Sequence, residues 1–86
     1  MISEKVEIVA ANGLHARPAT ELVKISKVLD GQVTIATEAK TVKSSSMLGI
    51  LSLGLKKGTV VTVTAEGGDE QTNLRAVADF LANFTE

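Results

Sequence analysis

The chain has 86 residues, of which 44% are hydrophobic and 22% charged, and it contains no cysteine. This length favours a single domain over residues 1–86, and nine basic against ten acidic residues give no basis for direct binding to nucleic acid. Lack of cysteine excludes disulfides and thiolate zinc sites, and no apolar run is long enough to cross a membrane. We therefore expect a cytoplasmic protein without membrane insertion.

The chain is predicted to begin with a strand over residues 2–10, because Val6, Ile8 and Ala10 alternate with polar residues. The next residues, 11–14, form a loop that contains the turn sequence Asn12-Gly13. The loop leads into a helix.

A helix is predicted over about residues 16–28, and Pro18 suits its first turn. Its core face holds the residues that recur at three- and four-residue spacing, which are Ala19, Leu22, Val23, Ser26 and Leu29. A second stripe along the same helix is mostly basic and runs through Arg17, Thr20, Lys24 and Lys27. Asp30-Gly31 is expected to end the helix, with Gly31 at positive φ.

Strands are predicted over residues 32–37 and 40–43, with a turn at Glu38-Ala39 between them. A short helix then begins near Met47, capped by Ser46 and ended by Gly54.

The clearest strand signal covers residues 59–66, and Gly67-Gly68 breaks it. Asp69 is predicted to cap a last helix. The apolar face of this helix contains Leu74, Val77, Ala78, Leu81 and Phe84. The predicted order is β-α-β-β-α-β-α, typical of an antiparallel α+β sandwich, and periodicity alone leaves the order of the strands open.

His15 is the only histidine, and it lies at or beside the N-terminus of the first helix. Backbone amides and the helix dipole favour negative charge there. A neutral imidazole is a nucleophile that can take up a phosphoryl group, and Arg17 offers a planar set of donors to phosphate oxygens. The spacing alone leaves open a second interpretation, a solvated loop or capping histidine.

The segment Gly13-Leu14-His15-Ala16-Arg17-Pro18-Ala19 resembles the active-site signature of HPr, the histidine-containing phosphocarrier family of the bacterial phosphotransferase system. Further segments that resemble this family are Lys40-Thr41-Val42, Ser46-Met47-Leu48-Gly49, Ser52-Leu53-Gly54 and Gly58-Thr59-Val60-Val61-Thr62. The resemblance covers essentially the whole chain. It implies an open-faced β-sandwich with strand order 1-4-2-3 and three helices on one face of the sheet.

The resemblance also implies a chemistry. His15 would be phosphorylated at Nδ1, with the phosphate held by the backbone amides of Ala16 and Arg17 and by the Arg17 guanidinium. The donor would be enzyme I and the acceptor an enzyme IIA unit for sugar uptake, which makes the protein a stoichiometric carrier rather than an enzyme. No cofactor is implied, and one histidine without clustered carboxylates or thiols is a poor metal site.

The basic stripe that begins beside His15 is a candidate docking edge for an acidic partner, and the resemblance adds an apolar patch on the short second helix. The expected members of this partner-binding surface are Thr20, Lys24, Lys27, Met47, Leu48 and Leu51. The other interpretation is a solvated helix face for the lysines and core positions for the apolar residues, as we expect for Ile50 and Leu53. A short helix that is apolar almost throughout cannot bury every side, and an exposed apolar patch is typical of a binding surface.

Ser46 matches the regulatory serine of this family. The resemblance implies phosphorylation by an HPr kinase/phosphorylase and recognition by a catabolite-control transcription regulator. Ser45 stands where family members usually have a basic residue, and Ser44 and Ser45 leave open which serine is used. A plain N-cap serine is the other interpretation. The alternative function is an HPr-like regulatory or signalling protein, of the nitrogen-related or catabolite-control branch, that acts mainly through protein binding.

Overall fold

A computed structural model of the protein describes residues 1–84. In chain order its elements are β1 (Ile2–Glu7), α1 (Ala16–Lys27), β2 (Gln32–Ala36), β3 (Thr41–Lys43), α2 (Met47–Ser52), β4 (Val60–Glu66) and α3 (Glu70–Asn83). The predicted order of elements is confirmed. The largest difference in extent is β1, which ends at Glu7 rather than at residue 10, because its partner strand starts only at Val60.

The four strands form one antiparallel sheet in the order β1-β4-β2-β3, as the resemblance implies. Cross-strand partners place apolar residues together: Val6 pairs with Val61, and Ile35 pairs with Val63. All four side chains are buried on the face that the helices cover. The opposite face is polar, and the hydroxyls of Ser3 and Thr64 lie 3.0 Å apart across its strands. This is an open-faced sandwich.

The helices bury their predicted faces against the sheet. Ala19, Leu22 and Ser26 of α1 are buried, and Val23 and Leu29 pack against the same core with part of their surface exposed. From α3, the buried apolar side chains are Leu74, Val77, Ala78 and Leu81.

Phe84 follows the end of α3, and its ring stacks on that of Phe80 with the centroids 5.4 Å apart. It packs, partly buried, against the core, as the apolar stripe predicts.

The prediction that Gly31 has positive φ is wrong, because the positive-φ residues among 1–84 do not include it. α1 ends at Lys27, and the Leu29 N–H donates to the Ser26 carbonyl at 3.2 Å. Gly31 is required for a different reason. A Cβ there would lie 2.1 Å from the carbonyl oxygen of Gly67, so two loops approach too closely for any side chain.

The same end of the molecule is held together by carboxylates. Asp30 accepts hydrogen bonds from the Asp69 backbone N–H (3.1 Å) and from Nδ2 of the buried Asn73 (2.9 Å). The Asn73 amide, followed by the Asp69 N–H, lowers the pKa of Asp30. Asp69 in turn caps α3 by accepting from the Thr72 N–H at 3.2 Å, as predicted for this residue.

Candidate functional site

His15 is the N-cap residue of α1. Its backbone is extended (φ −108°, ψ −166°), and its carbonyl accepts the Ala19 N–H at 3.0 Å. Within residues 1–84 the half-buried imidazole makes no capping hydrogen bond, so its ring nitrogens are not used to close the helix. The first turn of α1 contains no acidic residue. The ring therefore stands beside a helix N-terminus whose own first turn supplies no carboxylate.

The loop before His15 is held tightly against the connection between α2 and β4. Gly13 has φ +66° and donates its N–H to the Ala10 carbonyl at 3.0 Å, which forms the predicted turn. A Cβ on Gly13 would lie 2.2 Å from the Leu55 carbonyl oxygen, and the same oxygen accepts the Leu14 N–H at 3.2 Å. Leu14 and Leu55 are both buried. The position of His15 thus depends on a residue forty positions later in the chain.

The first turn of α1 offers donors to an anion. Ala16 and Arg17 are its first two residues, and both are exposed. The N–H groups of a first helical turn point out of the helix end, where the dipole places partial positive charge. Pro18 is buried and contributes no N–H. The imidazole, the amide-bearing helix end and a guanidinium are therefore gathered in three consecutive residues.

Helices α1 and α2 are in contact, and one of these contacts joins two of the predicted partner-binding residues, Thr20 and Met47. The Thr20 hydroxyl donates to the Ala16 carbonyl at 2.8 Å and lies 3.9 Å from Met47 Sδ. Met47 is half-buried against the core, whereas Leu48 is 82% exposed and Leu51 is 40% exposed.

Lys24 and Lys27 extend the same helix face along α1, both in its last turn and both exposed. We call the six residues Thr20, Lys24, Lys27, Met47, Leu48 and Leu51 the docking face. Lys24 and Lys27 give this set positive charge, and Leu48 and Leu51 give it exposed apolar surface, while the binding of a partner to it stays a prediction. Ile50, which was expected in the core, is buried, and Leu53 is partly buried.

The three consecutive serines occupy different environments. Ser44 is only 1% exposed, and its Oγ accepts a hydrogen bond from the Ser26 hydroxyl at 2.7 Å. Ser45 is exposed. Ser46 is the half-buried N-cap of α2, and its Oγ accepts the Gly49 N–H at 3.1 Å. In the folded protein the Ser44 hydroxyl is not accessible to a modifying enzyme. The candidates for the predicted phosphorylation are therefore Ser45 and Ser46.

One segment beside the site is not predicted from the sequence. The Cα of Lys56 would lie 2.9 Å from a Cβ on Gly13, which places this exposed lysine next to the loop of His15. Sequence patterns identify Lys56 only as part of a polar turn, because the approach is between segments far apart in the chain.

The side chains and helices of residues 1–84 also bear on two other properties, metal binding and membrane crossing. No group of three or more histidine, aspartate or glutamate side chains in this part of the chain is placed to hold a metal ion. No helix there has the length and apolar character that crossing a membrane requires.

Comparisons with known proteins agree with one another. Residues 2–83 match the family described as the PTS HPr component phosphorylation site. The chain is 46% identical over 67 residues to the phosphocarrier protein HPr of Vibrio cholerae serotype O1, an alignment that covers 78% of this chain and 79% of that protein.

Two solved structures are similar along nearly their full length. A crystal structure of HPr from Thermoanaerobacter tengcongensis has a TM-score of 0.88 and 37% identity, covering 94% of this chain and 91% of that one. A solution structure of Crh, the Bacillus subtilis catabolite repression HPr, has a TM-score of 0.69 and 32% identity, covering 98% of this chain and 100% of that one.

Proposed function

The chain belongs to the HPr family of the phosphotransferase system, and from this membership we propose that it carries a phosphoryl group on His15. One observation carries the proposal: His15 caps α1 without using its imidazole, at a helix end with no acidic residue in its first turn. A phosphoryl group on this ring would lie where the helix dipole favours negative charge.

In the proposed reaction, phospho-enzyme I transfers its phosphoryl group to Nδ1 of His15. The neutral imidazole supplies the electron pair for the new P–N bond, and the other ring nitrogen keeps its proton. The group then passes to a histidine of an enzyme IIA unit, and the imidazole is regenerated. The protein acts as a stoichiometric carrier in the cytoplasm, as a single domain and without a cofactor.

Ala16 and Arg17 stabilise the transferred group in this proposal. Their backbone amides and the guanidinium are donors to oxygens that carry charge throughout the transfer. Ala16 and Arg17 are exposed and His15 is half-buried, so these interactions hold the group without enclosing it. A carrier needs this balance because it must release the phosphoryl group to the next protein.

The docking face is proposed to bind both enzyme I and enzyme IIA. Lys24 and Lys27 attract an acidic partner, while Leu48 and Leu51 supply apolar surface that is already exposed. Thr20 and Met47 join the two helices at the end nearer His15. Methionine suits a surface that must fit several partners.

Ser46 is proposed as a regulatory site for an HPr kinase/phosphorylase, with a catabolite-control transcription regulator as the protein that recognises the phosphorylated form. A phosphate at this N-cap would be favoured by the dipole of α2 and would place negative charge beside Met47 and Leu48. Ser45 is the competing acceptor, since it is exposed and adjacent.

The similarity to Crh supports a second candidate, a regulatory protein that acts mainly through protein binding. The carrier role is favoured because the chain retains His15, which the resemblance leads us to expect a purely regulatory member to lack. The two candidates differ in one respect that can be tested, namely whether His15 takes up phosphate.

The test is incubation of the protein with enzyme I and phosphoenolpyruvate, followed by intact-mass measurement. We expect the mass of one added phosphoryl group, lost on mild acid treatment, and no such addition in His15→Ala. The variant should keep the wild-type melting temperature, because a half-buried N-cap side chain without a capping hydrogen bond contributes little to the fold. Acid-labile phosphate on His15→Ala, or none on the wild-type protein, would reject the carrier function.

A further inference from the structure

The connection between α2 and β4 brings a second cation to the loop of His15. A Cβ on Gly13 would lie 2.9 Å from the Lys56 Cα, and the preceding residue, Leu55, accepts the Leu14 N–H. Gly13 precedes His15 by two residues, which span at most roughly 7 Å. The Cα atoms of Lys56 and His15 are therefore separated by no more than roughly 12 Å.

The backbone of Lys56 is fixed on both sides. Its N–H donates to the Thr59 hydroxyl at 3.3 Å, and its carbonyl accepts the Thr59 N–H at 3.0 Å. Gly58, with φ +90°, completes this turn and donates its N–H to the Ile8 carbonyl at 2.7 Å. The backbone of Lys56 is thus held by hydrogen bonds next to the site, and its side chain is exposed.

We propose that Lys56 is a steering residue for the phosphoryl group, acting from the turn between α2 and β4. Its ammonium attracts the anionic donor to His15, and the effect is one of charge, not of a fixed contact. This inference rests on the proposed carrier function and extends it to the class of phosphoryl donor. Any anionic donor, whether a protein or a small molecule, should respond to the charge of Lys56.

The expected size follows from Coulomb's law. One charge acting on a phosphoryl anion at about 10 Å, largely through water, changes a rate by roughly 2–5-fold at low salt. The effect should diminish in high salt, since the Debye length falls to about 3 Å at 1 M ionic strength.

The adjacent lysine supplies a matched control. Lys57 has the same charge and is also exposed, but it follows Lys56 in the turn and is not the residue that meets Gly13. Lys57→Gln therefore reproduces the change in net charge of Lys56→Gln without removing the lysine that lies against the loop.

The experiment uses phosphoramidate as a small anionic donor. Its P–N bond breaks, ammonia leaves, and the phosphoryl group joins a neutral ring nitrogen of His15 while the other nitrogen keeps its proton. Rates are measured at low and high salt for the wild-type protein, Lys56→Gln, Lys56→Arg and Lys57→Gln. The series is repeated with phospho-enzyme I, and melting temperatures are recorded for each variant.

We expect Lys56→Gln to react roughly 2–5-fold more slowly than wild type at low salt and at nearly the wild-type rate at high salt. Lys56→Arg should react at the wild-type rate. Lys57→Gln should slow the reaction by less than about half of the slowing seen for Lys56→Gln. Equal rates for Lys56→Gln and wild type, equal slowing in Lys56→Gln and Lys57→Gln, or failure of Lys56→Arg to restore the rate would each overturn the inference.

The two donors separate this inference from the carrier proposal. If His15 reacts with phosphoramidate but not with phospho-enzyme I, the carrier function fails while the phosphoramidate rates still decide the role of Lys56. If His15 reacts with both donors at rates that do not depend on Lys56, only the steering role is lost. A wild-type His15 that reacts with neither donor would overturn both.

Discussion

The N-termini of α1 and α3 show two uses of the same helix property. Both ends carry partial positive charge from the aligned peptide dipoles. In α3 the chain's own carboxylates satisfy it: Asp69 caps the helix, and Glu70 accepts the Gly67 N–H at 2.8 Å. In α1 the cap is His15, and the first turn has no acidic residue.

The N-terminus of α3 contributes to the stability of the fold, whereas the N-terminus of α1 is proposed to bind the phosphate. At α3, the carboxylates fix the loops between α1 and β2 and between β4 and α3, with Asp30 bonded to Asp69 and Asn73. At α1, the cap position and the first turn hold no carboxylate, and the cap residue carries an imidazole instead. We infer that this difference leaves the N-terminus of α1 able to stabilise a phosphate.

The largest effect is expected for Arg17→Ala, which removes the charged donor from the first turn of α1. Phosphoryl transfer from enzyme I should slow by roughly 10–1,000-fold, as for loss of one charge-assisted contact to a transferring group, without stopping entirely. The matched control is Arg75→Ala on α3, whose guanidinium pairs with Glu4 and Asp79. Arg75→Ala should leave the transfer rate unchanged. Wild-type kinetics for Arg17→Ala at both the donor and acceptor steps would show that its guanidinium takes no part.

A smaller effect is expected when the first turn of α1 is given the acidic residue that it lacks. Ala16→Asp should slow phosphorylation of His15 by roughly 10–100-fold, because a carboxylate repels the incoming phosphoryl group. The unliganded helix should be as stable as before or more stable, by about 0.3–1 kcal/mol. Ala16→Asn is the uncharged control, and rates are compared with stability from denaturant unfolding. Equal rates for the two variants would contradict the electrostatic account.

Ser46→Asp tests the N-terminus of α2, the helix not yet included in this comparison. We expect its stability to be unchanged or raised by about 0.3–1 kcal/mol, because the helix end accepts an anion. Transfer from enzyme I should slow, most strongly at low salt, since the docking face is inferred to meet an acidic partner. Melting temperature and transfer rate are measured together at two salt concentrations, with Ser46→Asn as the uncharged cap.

Two results would contradict this prediction in different ways. A markedly lower melting temperature for Ser46→Asp would mean that the serine hydroxyl is needed as a structural cap. A stable variant with the wild-type transfer rate at every salt concentration would place Ser46 outside the docking face.

The smallest effect concerns acid stability at the α3 end. The Asn73 amide and the Asp69 N–H lower the pKa of Asp30, and the N-terminal amine of Met1 with the Gly67 N–H lowers that of Glu70. Each carboxylate therefore contributes stability that is complete above its unfolded-state pKa and is lost as pH falls through its folded-state pKa.

We expect a melting temperature that is flat above about pH 5 and declines below about pH 4. Asp30→Asn should show a shallower decline, because one of the responsible carboxylates is gone, while its phosphorylation at neutral pH stays at the wild-type rate. The measurement is thermal unfolding from pH 7 to pH 3, with His15→Ala as a control that should keep the wild-type pH profile. An equally steep decline in Asp30→Asn would remove Asp30 from the account.

Features set by neighbouring residues could be predicted from the sequence. Ser46 and Asp69 stand directly before helices and cap them, and the alternation in β4 gives its buried face correctly. The strand order required the family resemblance, because periodicity does not distinguish one antiparallel arrangement from another. The His15 motif likewise identified the candidate site, whereas spacing alone favours a solvated loop or capping histidine.

Features that depend on distant segments were missed. Gly31 was assigned to a helix end, but the close approach of Gly67, far along the chain, is what excludes a side chain. The approach of Leu55 and Lys56 to Gly13 leaves no local pattern in either segment. Such contacts arise only when the sheet brings the loops together, so they need the folded structure.

The most direct test of the contrast between the two helix ends is the response of backbone amides to phosphorylation. Isotope-labelled protein is phosphorylated on His15, and its amide signals are followed by NMR spectroscopy. We predict that the amide protons of Ala16 and Arg17 shift strongly on phosphorylation and return when the phosphate is removed, while those of Glu70 and Gln71 in the first turn of α3 stay unchanged. Phosphorylated His15 with unshifted Ala16 and Arg17 amides would contradict the claim that the α1 N-terminus stabilises the phosphate.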